Sequence, residues 1–305
     1  SNVFKKRKIK KKDILLAYTY ERVMPGDNYL NSIQNYWRVM SGLNKKSKLK
    51  CKNFLNEIIN TKEYPLTELD SIRACELGKI LENSYRSTNI AFIEEWSRFA
   101  EAINVDIYKV IESIRLRPTH SNIRHPGFGV GGYCLTKDPL FGEYAAKKLW
   151  NIKNLNFQFP KQAMKVNDEM PLVTYNKIKT IFKNKIENKK ILILGMSYKE
   201  NVGDLRSSPS IYFSNKCIKK KIKLFWHDPF VKILPNKNLI KINIVKNISN
   251  FDLVLFAVKH NVYRNINFDK KLIKKTIIFD ANYVLTEKQL NQIKKNKINF
   301  YSIGR

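Results

Sequence analysis

Three stretches of the chain have residue types and spacings that could do chemistry. In Phe128-Gly129-Val130-Gly131-Gly132-Tyr133-Cys134, three glycines occupy four positions just ahead of a cysteine. Glycines let the backbone come close to a ligand and expose its N–H groups. A cysteine at the end of such a loop can have its thiolate favoured by those groups and by the start of a helix expected near Asp138, with Lys137 adding positive charge. The competing reading is a glycine-rich turn beside a buried thiol. Lys79 and Asn83 stand four apart, on one face of an expected helix. A lysine turned inward there polarises an oxygen, and the asparagine holds a water or an oxyanion; a solvated pair is the alternative. The third stretch, residues 197–209, directly follows an expected strand at 190–195. Lys199 and Arg206 supply charge there, and Pro209 suits the first turn of the next helix, so phosphate binding is the expected role. No GxGxxG flanked by strand and helix occurs in the chain.

The elements that must position these residues fall into three regions, 1–66, 67–165 and 166–305. The first reads as the C-terminal end of a domain, with a short buried strand at 14–18, a turn at 24–27, an amphipathic helix at 46–61 and an approach loop from Leu66. In the second, Thr67-Glu68-Leu69-Asp70 reads as a capping box. Apolar residues then recur at helical spacing from Ile72 to Ile103, which predicts one helix of more than about 25 residues, a length that suits a spine or a dimer interface. Asp106 caps a second helix through Ile114, and a further helix runs from near Asp138 to Trp150. The third region predicts strands at 190–195, 223–226, 242–245, 253–258, 276–280 and 300–303. Helical patterns lie at 208–219 and 286–295. Strands interleaved with helices predict a doubly wound parallel sheet, which binds nucleotides at the C-terminal ends of its strands.

Composition sets wider bounds. The 305 residues carry a formal charge of +31 and are 43% hydrophobic, a globular composition. Lysine is scattered through nearly every segment, so the charge reads as compositional bias rather than a polyanion stripe; only residues 5–12 form a true basic run. No nucleic-acid-binding motif accompanies it. Cys51, Cys75, Cys134 and Cys217 lack CxxC spacing, so no metal site is expected and all four read as reduced thiols of a cytoplasmic protein. No apolar run reaches membrane-spanning length, so no membrane association is expected.

Taken in order, the segments resemble the nucleotide-sugar 6-dehydrogenase family, which includes UDP-glucose and UDP-N-acetylmannosamine dehydrogenases. Tyr20-Glu21-Arg22-Val23-Met24-Pro25-Gly26 resembles its Pro-Glu-Arg-Val-x-Pro-Gly segment. Glu76-Leu77-Gly78-Lys79 through Glu82-Asn83-Ser84-Tyr85-Arg86 is similar to its central-helix motif, and residues 129–138 to its catalytic loop. Asn167-Asp168-Glu169-Met170-Pro171, residues 198–209 and Tyr301-Ser302-Ile303-Gly304-Arg305 resemble three further segments. The resemblance implies an α/β fold: the remnant of an N-terminal Rossmann domain, a central long-helix dimerisation domain with the cysteine loop, and a C-terminal doubly wound domain that binds the nucleotide sugar. It also implies oxidation of a sugar C6 alcohol to a carboxylate with two NAD in succession, supplying surface polysaccharide precursors.

Under the same resemblance Cys134 is the nucleophile, Lys79 and Asn83 stabilise the oxyanion, and Asp138 and Glu21 serve thioester hydrolysis. Lys137 and Arg206 reach the cofactor. Tyr198, Lys199 and the backbone around His125, Phe128, Gly129 and Gly131 hold the nucleotide sugar. A homodimer through the central helix is implied too. Two departures bear on this. Pro25 stands where glucose-type members often carry a second Glu, which points to the branch acting on N-acetylated sugars. The family begins with a Rossmann domain carrying GxGxxG, and this chain starts near that domain's last strands, so about a hundred residues or more are expected to be missing. A non-catalytic nucleotide-sugar-binding or dimerising remnant is therefore the second reading.

Overall fold

The computed structural model describes residues 6–7, 10, 14–26, 28–235, 238–243, 248–268 and 275–305. The chain divides into two compact units, Ser1–Glu82 and Asn83–Arg305.

In the first unit, strands β1 (Ala17–Tyr20) and β2 (Val39–Gly42) pair antiparallel from Ala17↔Gly42 to Tyr20↔Val39, and β3 (Thr67–Glu68) adds parallel to β2. Successive strand residues face opposite ways. Met40 therefore packs with Leu55 and Ile59, while Val39 packs with Tyr20 and Cys75. Helix α1 (Tyr29–Gln34) is short; α2 (Lys45–Ile58) is capped by the Asn44 side chain, which accepts from Ser47 N at 2.8 Å. Two expectations are corrected. The strand anticipated at 14–18 begins three residues later, and Leu15 and Leu16 stay exposed, because the ladder with β2 and not the apolar run fixes its ends. Thr67 does not cap the long helix: its N–H already bonds Arg38 O at 2.8 Å in the sheet. Ser71 Oγ instead accepts from Ala74 N at 3.2 Å, and helix α3 (Ile72–Ala102) starts there and runs for 31 residues. The unit boundary falls inside this helix.

The second unit continues α3 and adds α4 (Ile107–Arg115), α5 (Phe141–Leu149) and α6 (Gln158–Ile181). Asp106 caps α4 by accepting from Tyr108 N at 3.0 Å, and Ile107, Tyr108 and Ile111 pack with Ile93 and Ala100 of α3. Helix α6 was not anticipated; Pro171 lies inside it and reads locally as a break. Its buried face, Ala163, Met164, Asn167, Met170, Thr174, Tyr175 and Ile178, nevertheless keeps helical spacing throughout.

Six parallel strands follow: β4 (Lys190–Leu194), β5 (Lys223–His227), β6 (Ile240–Lys241), β7 (Leu253–Phe256), β8 (Ile277–Asp280) and β9 (Phe300–Ser302). Their order is β6-β5-β4-β7-β8-β9. Helix α7 (Pro209–Ile218) joins β4 to β5, and α8 (Glu287–Lys295) joins β8 to β9. Strand β6 lies ahead of the anticipated segment at 242–245, of which 244–245 lie outside the described residues, as does most of the basic run at 5–12. Ile191 and Ile193 face Tyr175, Ile178, Phe213 and Cys217, while Leu192 and Leu194 face Tyr263, Phe268 and Ile293. The sheet is thus covered on both sides, which explains why its strands are apolar throughout. The order reverses between β4 and β7, and in open parallel sheets ligands bind beyond the strand C-termini at such a switch point. Among the described residues no helix is long and apolar enough to cross a membrane.

Ile193 is fully buried at the centre of this sheet. Replacing it with Ala should cost about 2–5 kcal/mol of unfolding free energy, measured by urea denaturation.

Candidate active site

The loop after β4 leaves the sheet at the switch point. Gly195 has φ +101°, and a Cβ there would lie 2.4 Å from Val258 Cβ, so only glycine lets the ends of β4 and β7 come this close. Asp228, just beyond β5, organises the loop. Its Oδ2 accepts from Met196 N and Ser197 N at 2.7 and 3.0 Å, and its Oδ1 from Phe230 N and Val231 N at 2.8 and 3.1 Å. Ser208 Oγ donates to Met196 O at 2.7 Å, which draws the start of α7 back to the strand end. Within the loop, Tyr198 N bonds Asp204 O at 2.9 Å, and Asp204 grips the Arg206 guanidinium with contacts of 2.6–3.1 Å. Arg206 holds the Asp204 carboxyl below its ordinary range.

The glycine loop docks on this one. Gly132 N donates to Arg206 O at 2.9 Å. A Cβ on Gly131 would stand 2.6 Å from Tyr198 Cβ and 2.9 Å from Ser207 O. Phe128 turns its ring into the core against Phe213, leaving only its backbone for a ligand. Cys134 is exposed, which removes the buried-thiol alternative; the four cysteines are all free. The expected helix start at Asp138 is a 3-10 turn, Asp138–Leu140, leading into α5. Lys137 N and Asp138 N donate to the Cys134 carbonyl at 3.2 and 2.9 Å, so these two N–H groups brace the loop and are not aimed at the thiol.

A charged row runs inward from there. The Lys137 ammonium sits 4.2 and 4.6 Å from the Tyr133 and Phe141 ring centroids and donates to Asp138 Oδ1 at 2.7 Å, a bond that raises its pKa. Asp138 Oδ2 accepts from Asn83 Nδ2 at 2.8 Å. Asn83 is fully buried, and its Oδ1 has no hydrogen-bond partner among the described residues.

His125 stands with another group: it contacts Glu112 and Arg115 at 2.8 and 3.1 Å and lies against Tyr108 and Tyr283. Burial pushes its pKa down, against the pull of Glu112. The Lys199 carbonyl accepts from Ser197 Oγ at 2.9 Å. In the first unit, Lys79 Nζ donates to the backbone carbonyl of Glu21 at 2.9 Å, and the Glu21 carboxylate accepts from Val23 N. Sequence reasoning passed over Tyr133, Asp204 and Asp228. Of these only Asp228 had a usable signal, an acidic residue before Pro229 at the end of an apolar strand.

A helical domain bearing an exposed thiol in a glycine loop, followed by a six-stranded sheet in the dinucleotide-fold order, defines the class as a doubly wound α/β protein. Residues 73–169 match the central domain, and residues 192–287 the UDP binding domain, of the UDP-glucose/GDP-mannose dehydrogenase family, and the chain belongs to that family. UDP-N-acetyl-D-mannosamine dehydrogenase of Methanocaldococcus jannaschii is 32% identical over 289 residues, 92% of this chain and 62% of the relative. NDP-N-acetyl-D-galactosaminuronic acid dehydrogenase of Ralstonia nicotianae is 27% identical over 281 residues, 91% and 63% of the two chains. The crystal structure of an NDP-N-acetyl-D-galactosaminuronic acid dehydrogenase from Methanosarcina mazei superposes with TM-score 0.77 at 25% identity, over 95% of this chain and 62% of that one. A UDP-D-ManNAc dehydrogenase structure from Pyrococcus horikoshii, at 24% identity and TM-score 0.76 over 95% and 64% of the two chains, shares the fold. The chain thus spans less than two thirds of the length of these relatives.

Gly131→Ala should force the two loops apart. The expected loss is about 1–3 kcal/mol of stability with faster proteolysis at the glycine loop, followed by thermal melts and mass mapping; an unperturbed melt and digestion pattern would refute the tight docking.

Proposed function

We propose that this chain serves the NAD-dependent oxidation of the C6 alcohol of a nucleotide sugar, a UDP-hexose or UDP-N-acetylhexosamine, to the uronic acid through Cys134. The observation that carries the reading is the exposed Cys134 in a glycine loop docked on a loop at the sheet's switch point. Relatives named as dehydrogenases of N-acetylated nucleotide sugars favour that branch, as does Pro25.

In this scheme Tyr198, Lys199 and the backbone from His125 to Gly131 hold the nucleotide sugar at the strand ends. Cys134 adds to the C6 aldehyde to give a thiohemiacetal, and later leaves from the thioester as water supplies the second acid oxygen. Asp138, fixed by Asn83 and Lys137, draws the proton from that water, and Glu21 assists as the acid of the hydrolysis. Lys79 and Asn83, both on α3, steady the oxyanion. The cationic pair Lys137 and Arg206, both packed against the Tyr133 ring, suits the pyrophosphate of NAD. NAD, when bound, accepts a hydride in each of the two oxidations. The setting is cytoplasmic and the product a surface polysaccharide precursor.

The assembly proposed is a homodimer. Tyr85, Phe92, Trp96, Phe99 and Ile103 of α3 are each about half exposed and recur at helical spacing, a face suited to a second copy. Trp96→Glu should convert the dimer to a monomer in sedimentation analysis; an unchanged mass would sink this assignment.

The test of activity is to mix the chain with NAD and a panel of UDP-sugars and to follow NADH absorbance, expecting two NADH for each acid formed. Cys134→Ser should abolish acid formation, and undiminished product from it would remove the nucleophile assignment. Because the chain spans 62% of its relative, a second reading is kept: a nucleotide-sugar-binding module without turnover. UDP-sugar binding with no NADH formation is its signature.

A further inference from the structure

The loop that carries Tyr198, Lys199 and Arg206 is held by a buried polar network that the proposed chemistry does not use. His260, four residues beyond β7, is fully buried between the rings of Phe230 and Tyr263, at 5.3 and 5.6 Å. Its Nδ1 lies 2.9 Å from the backbone N of Asn201, a group that only donates. Nδ1 is therefore the acceptor, and the proton sits on Nε2. Nε2 faces Asp228 Oδ2 at 3.1 Å and Ser197 Oγ at 3.2 Å. Ser197 Oγ spends its own proton on the Lys199 carbonyl at 2.9 Å, so it too accepts from the imidazole. The tie is returned by Asn201 Oδ1, which accepts from Asn261 N at 3.1 Å.

These bonds grip the loop at residues 197, 199 and 201, either side of Tyr198. The loop needs them. Asn201 and Ser207 hold φ angles of +55° and +48°, which cost free energy in non-glycine residues. An apolar side chain at 260 would fill the space between the two rings but would strand the Asn201 N–H and take away the imidazole donor shared by Asp228 Oδ2 and Ser197 Oγ.

We propose that His260, acting through Ser197 and Asn201 as the neutral Nε2–H tautomer, is a positioning residue of the nucleotide-sugar site, presenting Tyr198 and Lys199 in one fixed arrangement. This rests on residues 192–287 binding a nucleotide sugar, and it assigns to that site a residue from the far side of the switch point.

Calorimetry with UDP as the probe tests it, on the full chain. His260→Phe should bind UDP about tenfold or more weakly, the loss expected for one or two buried hydrogen bonds. His260→Asn keeps an acceptor for the Asn201 N–H and should recover much of the affinity. Lys199→Ala should cost less in the His260→Phe background than in the unaltered chain, because a loosened loop no longer presents the lysine; a merely structural role would leave the two losses additive. Nitrogen NMR should show the His260 proton on Nε2. Unchanged UDP affinity in folded His260→Phe, additive losses, or a proton on Nδ1 would each overturn the positioning role while leaving UDP binding intact. If His260→Phe does not fold, Ser197→Ala and His260→Asn carry the same comparison. Failure of the unaltered chain to bind UDP would remove the binding reading itself, and this inference with it.

Discussion

The close seating of one loop on another is the constraint on which the rest of the second unit depends. Gly131 sits where any side chain would collide with Tyr198 and the Ser207 carbonyl, and the neighbouring Gly132 N–H closes the seam on Arg206 O. Through that seam the position of Cys134 is set by the loop after β4 together with the bonds of its own segment. That loop is fixed in turn by Asp228, which gathers two backbone N–H groups beyond β4 and two beyond β5. Burial alone would raise the Asp228 pKa, yet the bonds from His260, Ser197 and Met196 outweigh it and hold the carboxyl below its ordinary range. Its stabilising charge is thus fully present above the ordinary carboxylate range and is lost as pH falls below that range.

The charges around the thiol are arranged in pairs. Lys137 is shared between two aromatic rings and Asp138, and Arg206 is forked onto Asp204. The two pairs are not equivalent. The Arg206 side chain is 59% exposed, and exposed ion pairs contribute little, so a pyrophosphate could draw the guanidinium away cheaply. The Asp138 side chain is only 12% exposed and is bonded to Asn83 as well. Under the proposed cofactor role Lys137 would thus meet an anion without leaving its partner, while Arg206 would swing from Asp204 to do so.

Legibility in the sequence depends on which interactions are local. The sheet was legible because its strands, buried on both faces, are short unbroken apolar runs between turn residues; Leu253–Phe256 is a plain case. The Asp106 cap was legible because it acts two residues from its own position. Ser71 was displaced in the reading by a better-looking box at Thr67, since the sheet bond that occupies Thr67 comes from Arg38, far away in sequence. Helix α6 was missed because Pro171 carries a strong local signal, whereas the helical face that overrides it is satisfied only by tertiary packing. At the site, Cys134, Lys137, Asn83 and Arg206 stand out by type and spacing, and Asp138 and Tyr198 only through the family resemblance. Of the groups that fix them, Tyr133 and Asp204 act within their own loops on Lys137 and Arg206, whereas Asp228 acts from another strand end, more than thirty residues away.

Asn83 shows how far the geometry refines a role read from type alone. A helical asparagine could serve either as an oxyanion donor or as a holder of water. Its Nδ2 is bonded to Asp138 Oδ2, and this fixes the amide so that Oδ1 cannot exchange places with the nitrogen. An unpartnered buried carbonyl oxygen costs about 1–3 kcal/mol, and the rigid helix supplies no means of relieving it. The amide thus offers one free N–H and one free acceptor beside a carboxylate. The free acceptor and the carboxylate suit a water molecule, which can donate to Oδ1 and to Asp138 together, and the free N–H suits an oxyanion. Under the proposed chemistry Asn83 therefore serves both parts read for it, taking a water through Oδ1 and an oxyanion through the N–H that Asp138 leaves free.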